Sequence, residues 1–238
     1  MDTSPSQSRW RRAVAEISAI VASILIAFAI QAWWEGVRDA GTLRAHLQSI
    51  RDELQESQTR IDEYVAHVEE ASLASRALLA LSLDEFAGLS VDSLARLIDR
   101  SIAAGSVTLP TGAIEALIAS GDLSLLQGTL SSRLAAWPSM VRRAEEGGAV
   151  LRSLREEQIV PFLSTYSAGL TVLKKSRWLD EYPSSRLELQ STEMFKDPRF
   201  EGHFALRALR LEVTHDDYDR LGVELESLVQ KIDSLLGS

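Results

Sequence analysis

Residues 13–35 read AVAEISAIVASILIAFAIQAWWE, and this stretch decides how the rest of the 238-residue chain is organised. Between Ala13 and Trp34 the only polar side chains are Glu16, Ser18, Ser23 and Gln31. A helix of that length extends roughly 33 Å, which matches the roughly 30 Å hydrocarbon core of a bilayer. The stretch therefore predicts a transmembrane helix over residues 11–35, preceded by a polar tail, residues 1–10. A cleaved signal peptide is the competing reading, because Arg9, Arg11 and Arg12 precede the run and Ala27-Phe28-Ala29 resembles a cleavage site. The run is longer than a signal core and continues into Gln31, Trp33 and Trp34 without turn-forming residues, which favours an uncleaved anchor.

The flanks fit that reading. Trp10, Arg11 and Arg12 at one end, and Trp33 and Trp34 at the other, suit the headgroup regions, where an indole keeps its ring apolar and its N–H wet. Glu16 lies about one turn inside the span, within reach of the interface or of Arg12. Ala15, Ala19, Ser23 and Ala27 fall four apart, a row of small side chains that lets a second transmembrane helix approach, either another copy or another membrane protein. Basic residues are densest just before the span, so the N-terminus is expected in the cytoplasm and residues 36–238 beyond the membrane, in the periplasm of a Gram-negative cell.

Composition bounds the remainder. The formal charge is −9, and setting aside Arg9, Arg11, Arg12, Asp2 and Glu16 leaves 22 basic against 32 acidic residues from position 35 onward. An acidic surface argues against nucleic acid or anionic lipid as the main partner of that part. The chain has no cysteine, which excludes disulfides, thiolate metal sites and a cysteine nucleophile.

Beyond the span the helical pattern continues. Leu43, Leu47, Ile50, Leu54, Ser57, Ile61, Tyr64, Val68, Ala71, Ser75 and Leu78 follow the alternating spacing of a heptad stripe, predicting one helix to about residue 82 with a bend at Gly36 and Gly41. Residues 83–90 read as a break, and Ser90 caps a short helix over residues 91–103. Thr111 opens a second short helix that Gly121 ends, after which Leu123, Leu125 and Leu126 re-enter the core. A long helix follows from about Thr129 to Ile159, which Pro138 and the Gly147-Gly148 pair are expected to kink, with Pro161 marking a further irregularity. Residues 163–196 read as a crossover with one short helix near residues 184–190. Asp197-Pro198 opens a last helix of about 39 residues, whose stripe of Phe204, Leu211, Thr214, Tyr218, Leu221, Leu225, Leu228, Ile232 and Leu235 is interrupted by Arg207. The predicted fold is all-α: an N-terminal transmembrane helix continuing into an elongated antiparallel three- to four-helix bundle.

Glu16, Ile17, the Ile24-Leu25-Ile26-Ala27 core, Gln31 and Trp34-Glu35 together resemble the opening of a bacterial family of small single-pass membrane proteins carrying a domain of unknown function. LIASGDL at residues 117–123 with Arg133-Leu134 resembles its central signature, and Asp197-Pro198-Arg199-Phe200 its end. This chain has Gln31-Ala32-Trp33-Trp34 where that family has asparagines, so no role of those asparagines carries over. The resemblance implies an integral membrane, largely helical protein with no established activity.

Sites for chemistry are sparse. Glu212 and His215 have the Glu-x-x-His spacing of helical di-iron proteins, but there is no second such motif, and the heptad register puts both outside the seam. His46 and His67 flank the first stripe, and an ion pair with Glu63 explains His67 better than a metal does. No phosphate loop, nucleophile elbow or paired-histidine zinc motif occurs. The turn Ser120-Gly121-Asp122 is the most plausible recognition element, with a helix stop as its plain structural alternative. The sequence therefore reads as a non-enzymatic, membrane-anchored interaction or scaffold protein with no cofactor, whose partners are the bilayer, itself or another membrane subunit. A ligand-sensing bundle acting through a partner is the alternative, its small molecule undefined.

Overall fold

The structure, a computed structural model, describes residues 5–126, 128–173 and 189–237; within these, the side chains of residues 5–20, 169, 170 and 173 lie outside what is described. All regular structure among the described residues is helical. In chain order the helices are α1 (Pro5–Ala80), α2 (Leu83–Gly88), α3 (Val91–Ile102), α4 (Gly112–Ser120), α5 (Leu130–Ser153), α6 (Val160–Thr165), α7 (Ala168–Leu173), α8 (Ser191–Lys196) and α9 (Pro198–Leu236). A 3-10 turn, Asp122–Leu125, follows α4, and a π-helical turn, Leu154–Ile159, joins α5 to α6. The chain divides into two compact units, Met1–Ser49 and Ile50–Ser238, with the division falling inside α1.

The first unit is helical throughout its described part, and Gly36 and Gly41 do not interrupt it. From Val21 to Val37 its apolar side chains stand in the open, Leu25 63% exposed, Ile26 60% and Phe28 64%, whereas Leu47 near its end is buried. Trp33 and Trp34 meet edge to face at 5.8 Å, and the Gln31 amide donates to Glu35 at 3.0 Å. Among the described residues no helix is long and apolar enough to cross a membrane. Residues 13–20 of the apolar run fall outside the described side chains, as do Trp10, Arg11, Arg12, Ala15, Glu16 and Ala19.

The second unit is built on the two heptad stripes. From Ile50 to Leu78 every seam position is buried, including the polar Ser57 and Ser75, whose hydroxyls return to the carbonyls of Glu53 and Ala71 one turn back. On α9 the stripe from Phe204 to Ile232 is buried, while Leu235 is 42% exposed. The two stripes face each other antiparallel: Arg51 pairs with Asp233 at 3.0 Å, the Tyr64 and Tyr218 rings lie 4.6 Å apart, and Arg76 pairs with Glu212 at 2.5 Å. α5 packs along α9, also antiparallel, with Arg133 bound to Glu224 at 2.7 Å and Gly147 against Thr214. At the end of the unit where α1 stops, α2, α3, the π turn and α6–α8 close around Phe86, Phe162, Phe200 and Phe204, with ring centroids 4.8 to 6.4 Å apart.

Four local outcomes differ from the sequence reading. Residues 83–88 form α2 instead of a break, because Ser82 and Glu85 make a reciprocal capping box. Thr111 stands at the N-cap of α4 and so opens it, but its side chain makes no capping bond; the Glu53 carboxylate of α1 instead accepts from the backbone N–H groups of Ala113 at 2.7 Å and Ile114 at 3.4 Å. Gly147 and Gly148 leave α5 helical and serve close packing: a Cβ on Gly148 would stand 3.0 Å from the Ser106 Cα and 3.1 Å from the Tyr64 hydroxyl. Leu126 is buried, whereas Leu125 is 38% exposed. The irregularity before Pro161 is the π turn: proline has no N–H to offer the Glu157 carbonyl, and the wider turn passes this defect into the first turn of α6. Most of the helix expected near residues 184–190 falls outside the described residues; α8 begins at Ser191.

Candidate functional site

The densest polar construction in the second unit surrounds the loop of residues 103–111. A loop passing through a helical body must find partners for its peptide groups, and here side chains of all three long helices supply them. The Tyr64 hydroxyl donates to the Gly105 carbonyl at 2.7 Å, and the Arg60 guanidinium donates to the Thr108 carbonyl at 2.7 Å. From α5, the Glu145 carboxylate accepts from the Leu109 N–H at 2.9 Å, and Arg152 donates to the Ser106 hydroxyl.

Arg207 of α9 holds the centre. It occupies a seam position and is fully buried. Its Nε donates to the Ser101 carbonyl at 2.5 Å, Nη1 to Leu151 at 3.1 Å and Nη2 to Ala104 at 3.2 Å. Ser101 and Ala104 flank the end of α3, whose last carbonyls have no partner within the helix, and a cation there also complements the helix dipole. Leu151 lies just before the π turn. Burial, and secondarily the nearby Arg155, pulls the Arg207 pKa down to about 10, which leaves the side chain charged at neutral pH. Burial raises the Tyr64 hydroxyl to about 12. Three N–H groups of Arg207 go to backbone carbonyls, so its role is positional: one side chain ties the end of α3, the loop and the end of α5 to α9.

A second construction secures the entry to α9. Asp197 caps the helix by accepting from the Arg199 N–H at 2.8 Å, and the Tyr166 hydroxyl donates to its carboxylate at 2.5 Å. The Arg199 guanidinium binds the same carboxylate at 2.6 Å and lies over the Phe162 ring, 5.4 Å from its centroid. These bonds, led by Arg199, hold the Asp197 pKa well below the usual carboxylate range. The Tyr166 carbonyl also accepts from the Gln190 N–H at 3.2 Å. Ser167 beside it has φ +59°, the one positive-φ residue other than glycine among the described residues.

The turn Ser120-Gly121-Asp122 is well ordered by its own bonds. Gly121 has φ +82° and ends α4, its N–H bound to the Ile118 carbonyl at 3.2 Å. The Asp122 N–H donates to the Ser120 hydroxyl at 3.3 Å, and the Ser124 hydroxyl donates to the Gly121 carbonyl at 2.9 Å. Within the first unit Ser23 and Ala27 are exposed. Glu212 is engaged by Arg76, and His215 Nδ1 lies 4.0 Å from Asp216. The ring of His67 contacts the Glu63 backbone carbonyl at 2.6 Å instead of its carboxylate. Among the described residues no group of three potential ligands is placed to hold a metal ion.

Sequence reasoning registered Arg207 only as a gap in the stripe; a charged residue at a seam position was the available signal. Glu53, Arg60 and Glu145 gave none, because their partners lie 36 to 61 residues away. In comparisons with known proteins, the chain matches no family model, no curated protein and no solved structure.

Proposed function

We propose that the protein is a membrane-anchored helical interaction or scaffold protein without catalytic activity of its own. Residues 11–35 cross the bilayer, and residues 36–238 form a body held on one side of it. The observation that carries this reading is the apolar run of residues 13–34 together with the exposure of its described part, where Ile24, Leu25, Ile26, Phe28 and Ile30 are each about half or more exposed around the helix. A helix apolar on all sides with nothing packed on it belongs in lipid. The span associates with itself or with another membrane protein along Ala15, Ala19, Ser23 and Ala27. The body is a rigid platform: polar groups at the 103–111 loop are committed to holding its own backbone.

The chain has no native cysteine, so single cysteines report topology directly. In intact cells a membrane-impermeant maleimide is expected to label Glu63→Cys, and to label Ser4→Cys only after lysis. Equal labelling of both before lysis refutes the single crossing. A chain that runs in mild detergent as a monomer and forms no cross-link through Ser23→Cys or Ala27→Cys refutes the association role. Ligand sensing is the second reading, and a specific small molecule bound by the body would favour it.

A further inference from the structure

Within the second unit, α5 covers one side of the α1–α9 seam, and among the described residues the opposite side of that seam is open. Two cavities lie along it, of about 370 and 310 Å³, and both are lined by Glu69. Between them they extend from Gln58 to Arg76 on α1, a helical rise of roughly 27 Å or five turns. The floor is apolar, formed by Ile61 and Val65 of α1 and Leu211 and Gly222 of α9, while Leu73 and Val223, 60% and 64% exposed, stand on the outer faces of their helices. The rims are acidic. Asp62 and Glu69 stand on the α1 side, and Asp219 and Glu226 on the α9 side, none of them paired with a lysine or arginine among the described residues. The one arginine in the furrow, Arg76, is already neutralised by Glu212.

We infer that this furrow takes a basic amphipathic helix from a partner protein, in the position a fourth bundle helix would fill. A helix with an apolar row and flanking lysines or arginines meets both features at once: its row covers the floor at Val65 and Gly222, and its cations face carboxylates that have no counterion. A second copy of this chain does not fit, because its corresponding face brings the same unpaired carboxylates. An acidic or uniformly apolar helix leaves the rims uncompensated. The inference rests on reading the body as an interaction module and names its partner class; it does not depend on the anchor.

The test uses the full chain in phosphatidylcholine nanodiscs with an environment-sensitive fluorophore on Ala66→Cys, and an 18-residue synthetic Leu/Lys amphipathic helix as the probe. Saturable binding is expected, at least tenfold weaker for Asp219→Lys/Glu226→Lys and within twofold of the parent for Glu146→Lys/Glu157→Lys, whose charges lie on α5 and the π turn. A scrambled peptide of the same composition and a Leu/Glu helix are expected not to saturate. Circular dichroism confirms that both double variants are folded, and empty nanodiscs measure partition of the peptide into lipid. Equal binding of the scrambled peptide, equal weakening by the two double variants, or a fluorophore response that rises with protein concentration alone overturns the inference. Binding that survives in a chain found to be water-soluble would leave the furrow standing and remove the anchor.

Discussion

Replacing Arg207 by methionine tests whether the buried guanidinium holds the second unit together. Methionine has a similar length and fills most of the same volume, so the change removes the charge and its three hydrogen bonds with little cavity. The Leu151 carbonyl keeps an acceptance from the Leu154 N–H, so its loss is small. The Ser101 and Ala104 carbonyls at the end of α3 lose the donor that Arg207 provides. Each orphaned buried acceptor costs about 1–3 kcal/mol, and removing the cost of burying a charge offsets part of that. The net expected destabilisation is about 3 kcal/mol. Arg207→Lys keeps the charge but reaches fewer carbonyls, and is expected to lose about half as much. Urea unfolding of the full chain in a non-ionic detergent, followed by ellipticity at unchanged slope, measures both differences. Hydrogen exchange is expected to show the amides of residues 98–109 opening first in the methionine variant. An Arg207→Met chain as stable as the parent, with unchanged protection there, would show that burying the cation costs as much as its bonds return, and would refute its role as the tie.

Three further outcomes follow from local geometry. Gly148→Ala is expected to destabilise by about 1–3 kcal/mol, since its Cβ meets backbone at Ser106, whereas Gly222→Ala meets only Ile61 at 3.9 Å and is expected to gain about 0.5–1 kcal/mol from helix propensity; thermal midpoints that move in the same direction contradict the packing assignment. Ser167→Gly is expected to stabilise by about 1 kcal/mol by relieving a left-handed backbone, and a lower midpoint would show that the serine side chain matters more than its φ. Asp197 has a folded pKa below its unfolded one, so its contribution is present at neutral pH and is lost as acid protonates it, from the ordinary carboxylate range downward. The parent is therefore expected to lose stability relative to Asp197→Asn as pH falls below about 4, and parallel acid-unfolding curves would contradict that.

The fold was largely readable because both long helices keep a strict apolar period, and the period survives wherever the opposite face is solvent. Ile50, Leu54 and Leu78 on one helix, and Leu211, Leu225 and Ile232 on the other, are buried as their spacing indicates. What escaped depended on long-range pairing or on context. The Glu53 cap joins residues 60 positions apart, and no local pattern encodes it. Gly147-Gly148 looks like weakness in isolation; only the loop packed against it turns the missing side chains into close contact. The Ser82-x-x-Glu85 capping box was present in the sequence, but the short apolar segment after it offered too few turns for a helical period to emerge. Arg207 was visible as an exception, and its meaning required the ends of α3 and α5.

The most direct measurement of the proposed function is alkaline carbonate extraction of membranes from cells producing the full chain, followed by N-terminal sequencing of the recovered protein. Retention in the membrane pellet with residues 11–35 intact is the expected result, and release into the supernatant by deletion of residues 1–35 would localise the anchor. Recovery of the parent chain in the supernatant, or trimmed beyond Ala29, would contradict it.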